Sequence, residues 1–290
     1  MIKEVRNFLI KNGIEANEAR AEAELIVCAV SGYTLEQIFA EAEISEDIAE
    51  KIWFAAKKRV ETGAPIQHIL GFAYFMGDRF YVNDKVLIPR PETELLVKAA
   101  ADAVRKRYAG QANKGISILD IGTGSGCIAC EISKLLQDID LEIMGVDIST
   151  DALRVAIKNM EILGCQRRVI FRKSDIYSGL REIDKFDIIV SNPPYIPIYL
   201  KDTLQDEVKN FDPDLALFTE DKDGVEFYKK ILAGAKRHLK LNGSVLFEIG
   251  FNDGISQAPI VAEIAKQYGF KLEFIKKDLA GIERVICFMG

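Results

Sequence analysis

The chain has 290 residues, of which 49% are apolar and 28% are charged, a balance typical of a globular protein that buries its own core. Its 38 basic and 44 acidic residues give a net charge of −6, which predicts no overall attraction to nucleic acid. No apolar run is long enough to span a membrane, and residues 1–20 are charged and amphipathic, unlike a signal peptide. The five cysteines are scattered, which indicates a reducing compartment, the cytoplasm.

Two of the cysteines, Cys127 and Cys130, form a C-x-x-C pattern. This pattern is compatible with a redox pair, with half of a metal site, or with two small residues on the buried face of a helix. A structural zinc site needs about four ligands, and the sequence contains no second pair. We therefore interpret both cysteines as core residues and expect no metal.

Residues 1–70 have the apolar periodicity of several helices. Thr34, followed three residues later by Gln37, is the pattern of a capping box at the start of a short helix. Ser45 is the predicted cap of a longer helix, which the Gly-Ala-Pro sequence at 63–65 ends. We expect a small, entirely helical N-terminal domain.

Residues 72–88 are instead rich in aromatic and β-branched strand formers. The Asn-Asp pair at 83–84 is a turn signal, so this stretch predicts a β-hairpin that links two domains. The Pro-Arg-Pro sequence at 89–91 interrupts the chain, and residues 92–108 have a helical pattern.

From residue 116 onward, strand and helix patterns alternate. The predicted strands are 117–120, 142–147, 169–173, 186–190 and 244–249, with two more in the tail at 271–276 and 284–288. The predicted helices are 126–137, 151–163 and 224–240. Alternation of this kind predicts a parallel sheet covered by helices, with antiparallel strands at its end.

The first of these strands runs into a glycine-rich loop. Gly122, Gly124 and Gly126 alternate, with Asp120 two residues before the first of them. Glycines allow the backbone to turn tightly and to approach a ligand, and the helix that follows favours a negative group at its N-terminus. This spacing differs from the G-x-G-x-x-G of dinucleotide sites.

An acidic residue follows each of the next two strands, and together they strengthen the prediction of a nucleoside site. Asp147 ends the second strand, where its carboxylate can accept both hydroxyls of a ribose. Asp175 follows the third strand, where it can accept from an adenine amino group. The pattern predicts an adenosine that lies across the carboxyl ends of the strands.

The fourth strand delivers Asn192, Pro193, Pro194 and Tyr195 at the same predicted edge. A planar amide or aniline nitrogen is a poor nucleophile because its lone pair is delocalised. Acceptors on its two N–H groups, the side-chain carbonyl of Asn192 and the backbone carbonyl of Pro193, can aim it, and Tyr195 offers a flat packing face. The stretch therefore predicts a site that holds and aims such a nitrogen for reaction, where positioning supplies most of the catalysis.

These motifs resemble the seven-strand, Rossmann-like class I S-adenosylmethionine (SAM)-dependent methyltransferases. Over nearly its whole length the chain also resembles the release-factor glutamine methyltransferases, the PrmC/HemK family. The residues that carry this closer resemblance are 65–71, 87–94, 192–195, 211–213, 278–281 and 284–285. The resemblance implies a helical N-terminal domain at 1–70 for substrate recognition, a β-hairpin linker at 71–89 and a methyltransferase domain at 90–290.

The resemblance also implies the reaction and the site. SAM would donate a methyl group to the N5 amide nitrogen of the glutamine in the Gly-Gly-Gln motif of class I peptide chain release factors, leaving S-adenosylhomocysteine. Catalysis falls to Asn192, Pro193 and Tyr195, and substrate binding falls to these three residues and Pro194. Cofactor binding falls to Asp120, Gly122, Thr123, Gly124, Ser125, Gly126, Asp147, Ile148, Asp175, Ile176 and Asn192. Arg90, Thr93 and Glu94 are expected to close the methionine end. The expected protein is a cytoplasmic monomer without direct nucleic-acid or membrane partners.

Two alternatives remain open from the residues alone. Asn-Pro-Pro-Tyr also suits adenine N6 or guanine N2, which would make the chain a nucleic-acid amino-methyltransferase. Residues 1–70, with eight basic and twelve acidic residues, are a poor footprint for that substrate. The second alternative is a SAM-binding module without catalytic activity, whose helical domain binds a partner.

Overall fold

The computed structural model describes residues 1–108, 115–252 and 254–290. The helices are α1 Ile2–Lys11, α2 Ala16–Ser31, α3 Leu35–Phe39, α4 Glu46–Thr62, α5 Ile66–Leu70, α6 Thr93–Tyr108, α7 Cys127–Leu135, α8 Thr150–Ile162, α9 Asp206–Phe211, α10 Asp214–Leu217, α11 Glu226–His238 and α12 Ala258–Gln267, with a 3-10 helix at Ile198–Thr203. The strands are β1 Phe72–Phe75, β2 Asp78–Tyr81, β3 Ile116–Ile121, β4 Leu141–Asp147, β5 Val169–Lys173, β6 Phe186–Ser191, β7 Ile196–Pro197, β8 Phe218–Thr219, β9 Leu239–Glu248, β10 Phe251–Asn252, β11 Ile255–Ser256, β12 Lys271–Lys277 and β13 Glu283–Met289.

The chain divides into two compact units. The first comprises Met1–Phe72 together with Gln205–Phe211, and the second comprises Ala73–Leu204 together with Asp212–Gly290. The helical character predicted for the N-terminal residues is confirmed by α1 to α5. The sequence pattern did not connect the distant segment 205–211 with these helices.

The first unit is organised around apolar stripes on its longer helices. Val5 and Leu9 of α1, Ile26 of α2 and Ile52 of α4 are fully buried in one cluster. Their spacing places one apolar face of each helix toward the others. The capping box that starts α3 at Thr34 is confirmed.

The predicted cap of α4 is only half right. Ser45 occupies the N-cap position, but its side chain makes no capping hydrogen bond. At the other end, Gly63 takes a left-handed φ of 67° and ends the helix, as predicted.

A buried arginine cluster joins α9 to the other helices of the first unit. Arg59, which is 2% exposed, donates from Nε to Glu22 at 2.8 Å and from Nη2 to Glu18 at 3.0 Å, and it also pairs with Glu207 of α9. Carboxyl oxygens of these three glutamates lie within 4.8 Å of one another around the guanidinium. Burial raises the pKa of Glu22 to about 7 although Arg59 opposes the shift.

The linker forms a two-stranded hairpin of β1 and β2, but its turn was placed wrongly. Met76 and Gly77 form the turn, with φ of 51° and 88°, whereas Asn83 and Asp84 lie after the second strand. Two successive residues with positive φ are typical of a tight two-residue hairpin. Met76 does not favour positive φ, so the sequence carried a weak signal for this turn.

The second unit contains a seven-stranded sheet with strand order β12-β13-β9-β6-β3-β4-β5. Strands β3, β4, β5, β6 and β9 are parallel, while β13 is antiparallel to β9 and β12 to β13. The predicted parallel sheet with antiparallel strands at its end is confirmed. The order reverses between β3 and β6, which is the position where such sheets bind ligands.

Helices cover both faces of this sheet because successive strand residues point to opposite sides. Ile118 of β3 packs in the cluster formed by α6 and α7, whereas its neighbour Leu119 packs in the cluster formed by α11 and α12. Cys127 and Cys130 are buried free thiols of α7, which confirms their interpretation as core residues.

Helix α12 was missed in the sequence. Its residues Ala258, Val261, Ile264 and Ala265 are buried and share one face. The sequence signal was the three- and four-residue spacing of these apolar residues, behind a proline in the first turn of the helix.

In the part of the chain that the structure describes, no helix has the length and hydropathy that a membrane span requires.

A buried carboxyl in α7 predicts an unusual pH dependence of stability. Glu131 is 3% exposed, and burial, followed by the effects of Cys165 and Glu94, raises its pKa to about 7. The native state then binds this proton more tightly than the unfolded chain, so the free energy of unfolding falls as pH rises from about 4.3 to 7. Glu131→Gln removes this loss, and we expect it to gain about 1–3 kcal/mol relative to wild type between pH 5 and pH 8.

Chemical denaturation of both proteins at the two pH values measures the effect. Glu161→Gln, at an exposed position of the neighbouring helix α8, is the control and should show no such difference. Equal pH dependence in the Glu131→Gln variant and wild type would contradict the assignment.

Candidate active site

A cavity of about 310 Å³ opens at the carboxyl ends of the parallel strands in the second unit. This volume lies at the lower end of the range for small-molecule sites, roughly 300–1,000 Å³. The predicted site residues that line it are Gly122, Thr123, Gly124, Ser125, Asp147, Ile148, Asp175, Ile176, Asn192, Pro193 and Pro194, and Arg90 and Thr93 line it as well. Loops after β3, β4, β5 and β6 thus contribute to one cavity, as the sequence predicted.

The glycine loop connects β3 to α7 through left-handed backbone. Gly124 and Gly126 have φ of 53° and 78°, which residues with a Cβ rarely adopt. At Gly126 a Cβ atom would also lie only 2.8 Å from Cζ of Phe171. Gly126 therefore permits close packing beneath the loop, where it is the N-cap residue of α7, and it is not among the residues that line the cavity.

Asp120 supports the loop from below. It is fully buried and absent from the cavity wall, and its Oδ2 accepts a hydrogen bond from Thr123 Oγ1 at 2.6 Å. Burial, assisted by the charge of Asp147, raises the pKa of Asp120 to about 7. Asp120 thus fixes Thr123 from beneath the loop, and the direct cofactor contact expected for it stays a prediction.

Asp147 is held at the end of β4 by two backbone amides. Gly124 N donates to its Oδ2 at 2.9 Å, and Ser149 N donates to its Oδ1 at 2.8 Å. Ser149 itself caps α8 by accepting from Ala152 N at 3.1 Å, so the cap of this helix does not occupy Asp147. Each carboxylate oxygen keeps a second lone pair, so the pair is arranged to accept from a diol.

The loop after β5 brings Asp175 and Ile176 to the cavity. Ile176 has a φ of 51°, an unfavourable value for a β-branched residue. Its carbonyl accepts from Ser174 Oγ at 2.9 Å, and Asp175 N donates to Ser178 Oγ at 3.1 Å. These two bonds hold the backbone in a conformation that the local sequence disfavours.

The wall fits the adenosine and amino-acid parts of SAM by two structural criteria. A Cβ built on Gly122 would meet no atom within 4 Å, so this side of the loop is open for a ligand to approach the backbone. Asp147 supplies the paired acceptors that a ribose needs. The apolar Ile148 and Ile176 line the same cavity and can pack on a base.

Strand β6 carries Asn192 to the glycine loop. All six residues of this strand are buried, and Ser191 Oγ donates to the carbonyl of Ile121 at 2.7 Å. That bond joins the last residues of β6 and β3, so the segments that follow them start side by side. Serine at this position was not recognised in the sequence as a structural tie.

The amide of Asn192 is oriented by a neighbouring hydroxyl. Asn192 Nδ2 donates to Thr93 Oγ1 at 3.2 Å. Because Nδ2 is engaged there, Oδ1 is the atom that Asn192 can offer as an acceptor to a ligand. Thr93 is the first residue of α6, so the start of this helix contacts the site, and the expected role of Thr93 at the methionine end stays a prediction.

Tyr195 is not among the residues that line the cavity. The Tyr195 ring packs against Gly250, where an added Cβ would lie 2.6 Å from its Cδ2 atom. The backbone carbonyl of Tyr195 accepts from Gln257 Nε2 at 3.3 Å. Burial, reinforced by Glu248, raises the pKa of its hydroxyl well above the usual value. The contact of Tyr195 with a substrate stays a prediction.

Arg90 and Glu94 have different surroundings. Arg90 lines the cavity and donates from Nη2 to the buried Asp212 at 2.6 Å, which ties the segment before α6 to the one before α10. Glu94 accepts from Met76 N at 3.0 Å, pairs with Lys98 at 3.0 Å, and is absent from the cavity wall. Its expected place at the methionine end is thus not supported by its contacts.

Glu248 is a residue of this site that the sequence analysis did not identify. It ends β9 one residue after Phe247, which is paired with Ser191, so it lies beside Asn192, and it is 3% exposed. Thr93 and Asn192 both lower the pKa of its carboxyl group, although burial raises this pKa overall. A single acidic residue at the end of the apolar run 245–249 was the available signal. Buried acids of this kind are unusual unless partnered.

Comparison with known proteins agrees with this geometry. Residues 112–266 match a family described as a methyltransferase domain, and residues 1–71 match the PrmC N-terminal domain. The catalytic domain of hMettl16, solved in complex with the MAT2A 3′UTR hairpin 6, covers 84% of this chain and 82% of its own with a TM-score of 0.53. At 16% identity that likeness shows the fold alone.

Curated relatives are closer in sequence. The release factor glutamine methyltransferase of Flavobacterium psychrophilum is 38% identical over 81% of this chain and 78% of its own length. That of Thermodesulfovibrio yellowstonii is 37% identical over 91% of this chain and 90% of its own. That of Bacillus subtilis is 34% identical and covers 99% of this chain and 95% of its own. With such identity along almost its entire length, the chain belongs to the release factor glutamine methyltransferase family.

Proposed function

We propose that this protein transfers the methyl group of SAM to the N5 amide nitrogen of the glutamine in the Gly-Gly-Gln motif of class I peptide chain release factors. Its membership of the release factor glutamine methyltransferase family supports the reaction. The observation that carries the proposal is the amide of Asn192, held by Thr93 on the wall of the cavity that the glycine loop also lines.

The cofactor assignments follow from the loops around the cavity. Gly122 to Ser125 would face the methionine part, Asp147 and Ile148 the ribose, and Asp175 and Ile176 the adenine. Asp120 and Gly126 would act by shaping the loop. The product that leaves this site is S-adenosylhomocysteine.

The chain's own residues would act mainly by positioning. SAM bound in this cavity would supply a methyl group from its positively charged sulfur, and the sulfur would leave as the neutral thioether of S-adenosylhomocysteine. The Oδ1 of Asn192 and the carbonyl of Pro193 would accept from the two N–H groups of the target amide and aim its nitrogen. The new C–N bond forms as the C–S bond breaks, and the amide proton passes to solvent.

The finer assignments concern recognition and location. Residues 1–70 would recognise the release factor, 71–89 would serve as the linker and 90–290 would hold the catalytic site. Residues 1–70 carry more acidic than basic residues, which favours a protein over a nucleic acid as the partner of the N-terminal helices. The five free thiols support a cytoplasmic protein, and we propose that it acts there as a monomer without binding a membrane or a metal.

A labelling experiment tests the proposal. The protein is incubated with SAM labelled in its methyl group, a class I release factor, and matched samples of DNA and RNA. We expect label only in the release factor, and none when the Gly-Gly-Gln glutamine is replaced by alanine. Label in the nucleic acids would support the amino-methyltransferase of DNA or RNA, and no label in any fraction would support a binding module.

A further inference from the structure

We propose that Thr93 and Glu248 are positioning residues, which hold the Asn192 amide so that its oxygen, and not its NH2 group, faces the target nitrogen. This inference rests on the proposed function, because it explains how that function obtains a correctly oriented acceptor. Neither residue needs to touch the reacting atoms.

The first part of the arrangement is the bond between Asn192 Nδ2 and Thr93 Oγ1, at 3.2 Å. Thr93 is 4% exposed, so its hydroxyl cannot rely on bulk water for its own hydrogen bond. A hydroxyl has one proton, and an oxygen that accepts from Asn192 must direct this proton elsewhere. Glu248 is the acceptor in this arrangement, because it follows Phe247, the register partner of Ser191, and because Thr93 and Asn192 both lower the pKa of its carboxyl group, as donors to a carboxylate do.

Strand register explains why Glu248 lies there. Strands β6 and β9 are parallel neighbours in which Ser191 is paired with Phe247. Asn192 and Glu248 are the next residues of the two strands, and both therefore leave the sheet at the same edge. Oε2 of Glu248 is buried and has no hydrogen-bond partner within the described residues, so this oxygen is available to accept from Thr93 or Asn192.

The direction of these bonds decides the orientation of the amide. The oxygen and nitrogen of an asparagine amide are nearly equal in size, so shape alone does not distinguish the two orientations. An ionised carboxylate only accepts, so it draws the Thr93 proton and the Asn192 NH2 toward itself. Asn192 Oδ1 is then left to accept from the substrate amide, whereas the reversed amide would place two NH2 groups against each other.

The arrangement also predicts a pH dependence. Burial and the nearby Glu92 raise the pKa of Glu248 to about 7, against the opposing effects of Thr93, Arg284 and Asn192. The hydroxyls of Tyr195 and Tyr228 are the other titratable groups beside it. A protonated carboxyl can donate to Thr93 and so reverse the chain of bonds, which would reduce turnover as pH falls below about 7.

Four variants and a control test the inference. Thr93→Val and Glu248→Leu remove the hydrogen bonds, and we expect each to lower kcat by about 10- to 100-fold, the effect of losing a hydrogen bond to a charged group. Thr93→Ser should retain most activity, and Glu248→Gln should retain an acceptor but lose the pH step near 7. Ser244→Ala, which removes another buried hydroxyl from β9, is the control and should turn over as wild type does.

Cofactor affinity by calorimetry should change by no more than a few-fold in these variants while kcat falls, which separates positioning from damage to the site. Full activity in both Thr93→Val and Glu248→Leu, or an unaltered pH step in Glu248→Gln, would overturn the inference.

Nuclear magnetic resonance provides a readout that does not depend on the reaction. The side-chain NH2 signals of Asn192, assigned by their loss in Asn192→Ala, should shift with a midpoint near pH 7 in wild type and not in Glu248→Gln. Signals that do not respond to pH in wild type would refute the arrangement. If wild type methylates no release factor but this shift is present, the proposed substrate is wrong and the positioning remains supported.

Discussion

Replacing Asn192 by alanine is expected to lower methyl transfer by about 10²- to 10³-fold, comparable to the loss of one preorganised polar group at other active sites. The amide of Asn192 is fixed by Thr93 at the cavity wall, and alanine removes the only side-chain acceptor that the proposed mechanism gives to the target nitrogen. Cofactor affinity should change by no more than a few-fold, because the glycine loop and Asp147 remain intact.

Single-turnover measurement of methyl transfer to the release factor, together with calorimetry of cofactor binding, separates these two effects. Asn210→Ala, at an exposed position outside the cavity, is the matched control and should transfer at the wild-type rate. If Asn192→Ala transfers methyl groups as fast as the control, the assigned role of Asn192 is wrong.

Replacing Asp147 by alanine is expected to weaken cofactor binding by about 10²- to 10³-fold, from the loss of two charge-assisted hydrogen bonds. The same change removes the acceptor of Gly124 N and Ser149 N, so the glycine loop loses one of its anchors. Asp147→Asn should also bind poorly, because its NH2 group would face one of these two amide donors.

Calorimetry with S-adenosylhomocysteine measures this effect directly. Asp151→Ala provides the comparison, since Asp151 is an exposed acid of the next helix that pairs only with Arg154 among its described contacts. We expect it to bind the ligand as wild type does. Similar dissociation constants for Asp147→Ala and Asp151→Ala would exclude Asp147 as the ribose ligand.

The predicted strands of the sheet agree with β3 to β6, β9, β12 and β13 to within a few residues at most ends. Buried parallel strands produce continuous apolar runs such as 186–190, which are a strong local signal. The largest difference is β9, which begins at Leu239 where a helix was expected to continue to residue 240. Lys240 and Asn242 are poor strand formers, so the local sequence did not indicate that β9 extends this far.

Local signals were weaker where two of them competed. The Asn-Asp pair at 83–84 outweighed Met76-Gly77 as a turn signal, although the strands pair across the latter. Asp120 was assigned to the cofactor because it lies in the motif, while its burial and its bond to Thr123 give it a supporting position. Adjacency in sequence does not show whether a side chain points into a cavity or beneath it.

Taken alone, the sequence determined the order of the main strands of the seven-stranded sheet, the edge of the sheet where the cavity forms and the loops that line it. These features depend on hydrophobic period and on glycine, both of which are local properties of the chain. The tertiary structure alone decided that 205–211 belongs with the N-terminal helices, that Ser191 ties β6 to β3, and that Glu248 lies beside Asn192. Such contacts join residues far apart in sequence, and their partners are set by strand register and burial, for which no local pattern exists.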